Sequence, residues 1–189
     1  NKYVLYYKMG YPLGVWSQLE LLDKVFLKDN FYFPQNGNRS NVLKKNDKSY
    51  PGFALGIIFS WTHGWEHTLS ALSKQPKYSK LLNQSMKLIN SFDPDFECST
   101  IQFNKNYQIT KHIDGNNVGE SYIIGLGNYA GGELIVYDEN DKPKYVDINH
   151  KFYKFNGCKY YHEVADFIGD RITLVFFFLA KPGKYQKKN

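Results

Sequence analysis

The stretch Lys111-His112-Ile113-Asp114 decides how the rest of this sequence is interpreted. In an extended strand, residues i and i+2 point to the same face, so His112 and Asp114 are able to reach one metal ion from one strand end. A third candidate ligand, His162, lies in the strand-like stretch 160–164. Two imidazoles and one carboxylate form the facial triad of non-haem iron(II) sites, which leaves positions open for a cosubstrate and dioxygen. A closed structural zinc site would use four protein ligands instead.

A basic residue downstream of His162 supports the same interpretation. An isolated His-x-Asp pair is common by chance and often marks a surface turn. Here Arg171 follows His162 by nine residues, and Thr173 lies two positions beyond it. On a strand these two side chains share a face, and a guanidinium pairs with a carboxylate through two hydrogen bonds. The pattern predicts a metal site beside a carboxylate clamp. The alternative for Arg171 is a structural ion pair with Asp166 or Asp170.

Two further residues are candidates for binding a cosubstrate. Asn104 and Tyr107 precede the His-x-Asp pair on the incoming strand and loop, where either is able to donate a hydrogen bond. For Tyr107, a core position is an equally good interpretation. The dipeptide Asn156-Gly157 is a turn signal just before the strand that carries His162. It predicts a tight turn at the entrance to that strand.

The region after Phe96 contains short β-prone stretches separated by Gly, Asn and Asp. These stretches are Cys98–Phe103, Ser121–Leu126, Glu133–Tyr137, Lys144–Ile148, Phe152–Phe155 and Arg171–Leu179. Before Phe96, apolar spacing predicts a helix over 13–28, and Pro76 opens a second helix that Asp93-Pro94 ends. Helices followed by many short strands predict an α+β fold whose β part is a sandwich or jelly roll.

The first half of the chain holds three more predicted segments. Residues 2–7 and 52–61 are predicted strands, and residues 35–50 are predicted to form a mobile loop. The basic residues of this loop are Arg39, Lys44, Lys45 and Lys48. Their positive charge makes the loop a candidate for contacting an anionic partner.

The composition favours one globular domain. The chain has 189 residues, of which 42% are hydrophobic, so it is able to bury a core and is too apolar for a disordered chain. Cys98 and Cys158 are too few for a disulfide framework, which favours an intracellular protein. The nucleus is one candidate compartment. No apolar run is long enough to cross a membrane, and we expect a monomer. The net charge of +6 favours acidic partners such as nucleic acid.

From about Cys98 to Phe178 the sequence resembles the 2-oxoglutarate/Fe(II) dioxygenase superfamily, and within it the TET/JBP group of nucleobase hydroxylases. The residues that carry this resemblance are Asn104, His112-x-Asp114, Asn116-Asn117-x-Gly119-x-Ser121, Gly125-Leu-Gly127, Gly131-Gly-Glu-Leu134, Phe155-Asn-Gly157, His162-x-Val164 and Gly169-Asp-Arg-Ile-Thr-Leu-Val-Phe176. They cover under half of the chain. They are more specific for the superfamily than for the group, because prolyl hydroxylases share several of them.

The resemblance implies a fold, a domain plan and two cofactors. The fold would be a double-stranded β-helix (jelly-roll) core over about 96–180 with N-terminal helical support over about 1–95, in one oxygenase domain over 1–189. The cofactors would be Fe(II) and 2-oxoglutarate, which is decarboxylated to succinate with dioxygen while a substrate is oxidised. The implied metal ligands are His112, Asp114 and His162, and the candidate cofactor-binding residues are Arg171, Thr173, Asn104 and Tyr107.

The resemblance also implies a substrate, a methylated pyrimidine base (5-methylcytosine or thymine) in nucleic acid, in DNA before RNA. The base would leave the stack to reach the metal, aromatic side chains would sandwich it, and the basic loop would hold phosphates. Hydroxylation of proline or of another protein residue by the same superfamily is the main alternative. Small-molecule oxidation and a binding module without chemistry are two others, and the intact ligand set argues against the last.

Other motifs support a function less strongly. The stretch His63-Gly-Trp-Glu-His67 matches a zinc-peptidase pattern that needs a stable helix, and its glycine weakens one. Trp61, Trp65 and His67 lie in or near this stretch. Two interpretations are open for them: contact with substrate, or packing within a loop. The basic tail 181–188 is either solvated or in contact with phosphates. His150 is predicted to be a surface residue and not a ligand.

Overall fold

The computed structural model describes residues 10–28, 31–37, 39–60 and 66–180, and the predicted strand over 2–7 lies outside them. The helices in these ranges are α1 (Leu13–Asp23), continued by a π-helical turn (Lys24–Lys28), and α2 (Pro76–Phe92), with short 3-10 turns at Ser40–Val42 and Leu72–Lys74. The strands in these ranges are β1 (Gln35–Asn36), β2 (Tyr50–Ser60), β3 (Glu66–Leu69), β4 (Thr100–Lys105), β5 (Asn117–Gly131), β6 (Leu134–Tyr137), β7 (Pro143–Val146), β8 (Tyr153–Phe155), β9 (His162–Val164) and β10 (Phe167–Leu179).

Both predicted helices form, and they share one core with the sheet beneath them. Pro76 occupies the first turn of α2, where its missing amide hydrogen has no partner to lose, and the helix ends just before Asp93-Pro94. Buried residues of α1, such as Leu19, meet buried residues of α2, such as Leu88. The same cluster includes Leu174 of β10, so the helices cover one face of the sheet.

The strands form two antiparallel sheets. Among the described residues, the larger sheet has seven strands in the order β1-β2-β4-β10-β5-β8, with β3 paired to the far end of β2. The smaller sheet has three strands in the order β7-β6-β9. Strand β10 is central, because it pairs with β4 on one side and with β5 on the other.

Alternation along β10 separates the helical core from the interior between the sheets. Ile172 and Leu174 belong to the core under the helices, whereas Thr173 and Val175 line a cavity on the opposite face. Leu134 of the smaller sheet lies in a second apolar cluster on that side, together with residues of β5 and β8. The predicted α+β class with N-terminal helices is therefore confirmed.

Two expectations about the first half of the chain need correction. The region 1–95 is not only helical support, because β2 is an inner strand of the larger sheet and covers an edge that β4 would otherwise leave unpaired. The loop over 35–50 was expected to be mobile, but it contains β1 and a 3-10 turn. Its Val42 is fully buried and clusters with Tyr50, Ile109 and Val164, and this apolar contact holds the segment in place.

In the described ranges, no helix is long and apolar enough to cross a membrane.

Candidate metal centre

His112, Asp114 and His162 come together as a possible metal site. Each offers one ligand atom, and these atoms all lie within 4.8 Å of one another. His112 Nε2 lies 3.5 Å from Asp114 Oδ1, and His162 Nε2 lies 3.5 Å from Asp114 Oδ2. Nothing else in the described ranges forms such a cluster of His, Cys, Asp and Glu. The ligand set predicted from spacing therefore converges in space.

The backbone brings these residues together by one isolated bridge rather than by a strand ladder. His112 and His162 exchange two backbone hydrogen bonds of 3.0 Å, and the Asp114 amide donates to the Gly157 carbonyl at 2.9 Å. The His-x-Asp pair was expected on a strand, but Asp114 lies just beyond the bridge, outside any strand. Gly157 makes this close approach possible, because a Cβ there would lie 3.0 Å from Asp114 Oδ2.

Hydrogen bonds at the outer ring nitrogens fix the orientation of both imidazoles. His112 Nδ1 lies 2.8 Å from the Thr110 carbonyl oxygen, and His162 Nδ1 lies 3.1 Å from the Tyr160 carbonyl oxygen. A carbonyl only accepts, so in the neutral rings the proton is on Nδ1 and the Nε2 lone pair faces the centre of the site. This is the arrangement that metal-binding histidines adopt.

The Asp114 carboxylate is kept ionised by its neighbours. Burial alone would raise its pKa, but His112, His162 and the Arg39 cation outweigh that effect and hold the pKa of Asp114 well below its usual range. Arg39 Nη2 donates to Asp114 Oδ1 at 2.8 Å, and Asn117 Nδ2 donates to Oδ2 at 3.3 Å. A carboxylate must be deprotonated to bind a metal, and this one is. Arg39 and Asp114 are 75 residues apart in the sequence, so no local sequence pattern predicted their contact.

Arg171 is a buried cation that lacks a counterion in the described structure. It is 3% exposed, and its guanidinium carbon lies 5.5 Å from the ring centre of Tyr129 and 5.5 Å from that of Phe167. Nε donates to the Gly132 carbonyl at 3.1 Å, whereas Nη2 is buried without a hydrogen-bond partner. Burial lowers the pKa of Arg171, which reflects the unfavourable free energy of an unpaired buried charge. The site therefore fits an anionic ligand.

The two carboxylates proposed as structural partners of Arg171 are bonded elsewhere. Asp166 accepts a hydrogen bond from Gln108 at 2.7 Å, and Asp170 accepts one from Asn106 at 3.0 Å. The structure therefore does not support the alternative of an ordinary ion pair for Arg171.

Tyr129 is a second buried donor beside Arg171, and the sequence analysis missed it. Its hydroxyl has no hydrogen-bond partner, although the Arg171 charge is near enough to lower its pKa. Burial has the larger effect and raises the pKa of Tyr129 to about 12, so the hydroxyl stays protonated at neutral pH and is able to donate. On β5, Tyr129 lies opposite Gly169 of β10, and Gly127 lies opposite Arg171, so the strand register brings Tyr129 near Arg171.

The remaining predicted cosubstrate residues are in different environments. Asn104 and Thr173 are buried partners on β4 and β10, with Asn104 Nδ2 donating to Thr173 Oγ1 at 3.1 Å, and both line a cavity of about 770 Å³. The same cavity reaches His112, Asp114 and His162. Tyr107 does not line it. Its hydroxyl donates to Asp47 at 2.7 Å and accepts from the Lys44 amide at 2.8 Å.

The other residues singled out from the sequence are His150, His67 and two stretches outside the described ranges. His150 was predicted at the surface, but it is buried and lies 2.9 Å from Asp23 Oδ2, linking the end of α1 to the β core. His67 lies in strand β3 and bonds to the Ala180 carbonyl at 2.7 Å, so the part of the zinc-peptidase pattern that the structure describes is not helical. Residues 61–65, with both tryptophans and His63, and the tail 181–188 lie outside the described residues.

Comparison with known proteins adds information on the fold. No protein-family model and no curated protein sequence matches the chain. An oxidoreductase of the 2OG-Fe(II) oxygenase family from Burkholderia pseudomallei superposes with a TM-score of 0.57 at 18% identity, over 88% of this chain and 82% of that one. NgTET1 in complex with 5mC DNA gives 0.58 at 16% identity, over 92% and 71%. OsALKBH1 gives 0.51 at 14% identity, over 85% and 91%.

At these identities the likeness shows the fold, which is that of 2-oxoglutarate/Fe(II) oxygenases. The predicted superfamily fold is confirmed at that level, and the neighbours do not single out the TET/JBP group. The Burkholderia pseudomallei neighbour is described as an oxidoreductase of the 2OG-Fe(II) oxygenase family, and in this chain His112, Asp114 and His162 form a group that could hold a metal ion.

Proposed function

We propose that this chain is an Fe(II)- and 2-oxoglutarate-dependent dioxygenase with a double-stranded β-helix core. The observation that carries the proposal is the convergence of His112, Asp114 and His162, with both imidazole Nε2 atoms directed towards the Asp114 carboxylate, on the wall of one cavity. Two His and one carboxylate leave open positions on an iron(II) ion, as an oxygenase needs.

The far carboxylate of 2-oxoglutarate is assigned to Arg171. Its Nη2 and the Tyr129 hydroxyl are two buried donors without partners, and a carboxylate would satisfy both. Thr173 lies two residues along the same face of β10 and adds a hydroxyl on the cavity wall. Asn104 holds that hydroxyl through its own amide. Together these side chains would orient the cosubstrate with its 2-oxo acid end towards the metal ligands.

When bound, iron together with 2-oxoglutarate and dioxygen supplies the oxidising power, with succinate and carbon dioxide as products. The chain keeps water from this chemistry with apolar side chains. Ile123, Leu134 and Val175 line the same cavity as Thr173 and the candidate metal ligands. Their contribution is to hold the reaction in a low-dielectric space in which fixed charges act more strongly.

For the substrate, we propose a methylated pyrimidine base in nucleic acid, DNA before RNA. Support comes from the NgTET1 neighbour, which was solved with 5mC DNA, and from the net charge of +6. The cavity volume of about 770 Å³ is in the range that small-molecule sites occupy and accommodates a flipped base beside the cosubstrate. The amide side chain of Asn41 on its wall is able to hydrogen-bond the edge of a base.

The decisive experiment measures succinate release and product mass with a panel of substrates. The panel contains methylated DNA, unmodified DNA, RNA and a peptide pool, each with Fe(II), 2-oxoglutarate and dioxygen. We expect oxidised 5-methylcytosine or thymine, and no product from the His112→Ala or Asp114→Ala variant. Oxidised peptide without an oxidised base would refute the nucleic acid substrate and support the protein hydroxylase. No succinate with any substrate, in a chain that binds no iron, would refute the enzyme itself.

A further inference from the structure

Arg39 lies in a segment outside the region that resembles the oxygenase superfamily, yet it contacts a metal ligand. Its Nη2 donates to Asp114 Oδ1 at 2.8 Å, and its side chain is 28% exposed. Arg39 was one of the residues expected to contact phosphates from a mobile basic loop. Its guanidinium is instead directed inwards, onto the only carboxylate of the proposed iron site.

A buried tyrosine lies near the Arg39 guanidinium. Tyr50, the first residue of β2, is 1% exposed and is near enough to interact electrostatically with Arg39. Gln102 Nε2 lies 3.4 Å from the Tyr50 hydroxyl and 3.1 Å from Asn104 Oδ1. Asn104 in turn donates to Thr173. A chain of polar contacts therefore runs along the cavity from the cosubstrate clamp to the metal ligand.

The segment that carries Arg39 is fixed to both of the segments that bear the histidines. Val42, three residues on, is fully buried against Ile109 and Val164. The Thr110 amide donates to the Val42 carbonyl at 3.4 Å, two residues before His112. Arg39 is thus positioned by packing on the same elements that carry the histidines.

We propose that Arg39 is a positioning residue of the iron site, which fixes the Asp114 carboxylate in the orientation that the metal requires. This inference rests on the proposed function. A carboxylate has about four lone-pair directions, so the bond from Arg39 leaves others for a metal. The guanidinium is planar and donates to Asp114 with Tyr50 nearby, which limits rotation of the carboxylate. Partners of this kind set the geometry of a ligand without touching the metal.

Charge and geometry have opposite effects here, so the test has to separate them. The Arg39 cation repels a metal dication, whereas its orientation of Asp114 favours binding. Arg39→Lys keeps the charge and loses the planar fork, so the repulsion is retained and only the positioning is lost. Co(II), which is stable in air, reports both affinity and coordination geometry through its visible absorption.

We expect Arg39→Lys to bind Co(II) about tenfold or more weakly than the parent, with an altered absorption spectrum and an unchanged thermal midpoint. Ser40→Ala, an exposed position in the same turn, is the matched control and should bind as the parent does. Tyr50→Phe should weaken Co(II) binding by a smaller factor. Its effect should be less than additive with that of Arg39→Lys, because both act through one carboxylate.

Two results would overturn the role of Arg39. One is an Arg39→Lys variant with parental Co(II) affinity and spectrum, while the parent binds Co(II) and His112→Ala does not. The other is full additivity of the Arg39→Lys and Tyr50→Phe effects, which would show that the two residues act independently. A parent chain that binds no Co(II) would instead remove the proposed function along with the inference, so the two failures are distinguishable.

Discussion

At the scale of single residues, Arg171 is the side chain whose environment requires a ligand most clearly. Its Nη2 is buried without a hydrogen-bond partner, whereas two lysines close in sequence to the histidines, which could also anchor a carboxylate, are bonded to acidic residues. Lys111 bonds to Asp141, and Lys159 bonds to Glu139 at 2.8 Å, both at the surface. The anchor for a carboxylate is therefore Arg171.

Arg171→Ala should raise the apparent KM for 2-oxoglutarate. Losing a charge-assisted bidentate pair costs about 2–3 kcal/mol, which corresponds to roughly 30- to 150-fold. Tyr129→Phe removes one neutral donor and should raise KM by about fivefold. Steady-state succinate release over a range of 2-oxoglutarate concentrations measures both, with Co(II) affinity as the control for an intact metal site. A parental KM in Arg171→Ala would show that the clamp is elsewhere.

Cys98 should be a slow nucleophile in the folded protein. Burial raises the pKa of its thiol to about 11, so the thiol is protonated at every pH below that value. At pH 8 only about one molecule in a thousand carries the reactive thiolate. Alkylation by iodoacetamide, followed by peptide mass spectrometry, should be slow at pH 8, faster with rising pH, and rapid in urea. Prompt labelling of the native chain at pH 8 would contradict this assignment.

At the scale of elements, the turn before β9 determines how closely the two halves of the metal site approach. A Cβ at Gly157 would lie 3.0 Å from Asp114 Oδ2 and 3.3 Å from His162 Cε1. Such contacts are tighter than ordinary van der Waals packing, so a side chain there must displace a ligand.

Gly157→Ala should therefore weaken Co(II) binding by about tenfold while costing at most about 1–3 kcal/mol of unfolding free energy. Titration of Co(II) and chemical denaturation measure the two effects separately. The control is Gly14→Ala in α1, where the added Cβ would lie 3.6 Å from Ser91, an ordinary van der Waals distance. This variant should leave Co(II) binding unchanged. Equal Co(II) affinity in Gly157→Ala and parent would mean that the turn does not constrain the ligands.

The elements that the sequence predicted correctly are those with local signals. The helix over 76–92 has a proline at its start and Asp93-Pro94 after its end, and its buried residues recur at helical spacing. The candidate ligands His112 and Asp114 were singled out by their short spacing, and His162 by its chemistry and by its distance from Arg171. For the helix and for the His-x-Asp pair, the physical cause lies within a few residues of its effect.

The parts that the sequence could not predict depend on contacts between distant residues. Arg39 meets Asp114 only after β1, β2 and the 3-10 turn have packed, and a run of Asn, Ser and Lys gives no sign of that burial. His150 had the composition of a surface turn but is paired with Asp23, whose sequence distance is 127 residues. Tertiary packing overrides local composition at both positions.

At the scale of the whole molecule, helices and cavity lie on opposite faces of the larger sheet. The exposed lysines of α2 and of the π-helical turn after α1 are therefore on the side away from the proposed iron site. Lys44, Lys45 and Lys48 belong instead to the segment whose Asn41 lines the cavity. If a nucleic acid enters the cavity, these three lysines are the candidates for contacting its phosphates.

Replacing Lys44, Lys45 and Lys48 together by Ala should weaken DNA binding across sequences and lower its salt dependence. Each lysine that contacts a phosphate should reduce the slope of log K against log salt by about 1. The matched control removes the same charge from the helical face by changing Lys24, Lys80 and Lys87 to Ala. Fluorescence anisotropy at several salt concentrations measures both variants. Equal slopes in the two triple variants would show that net charge alone, and not this segment, attracts DNA.

The central position of β10 determines how fast its backbone amides exchange with solvent. Residues 172–176 are flanked by strands on both sides, so their amides should exchange with solvent only when the larger sheet opens as a whole. The segment around His112 is held by one isolated bridge and a few single backbone hydrogen bonds, so its amides should exchange through small local openings. The proposed cosubstrate clamp therefore lies beside the most persistent part of the larger sheet, whereas the loop that carries His112 and Asp114 should open more readily. A bound metal would link His112 and Asp114 to His162. Amide exchange around His112 should then slow towards the rate of residues 172–176.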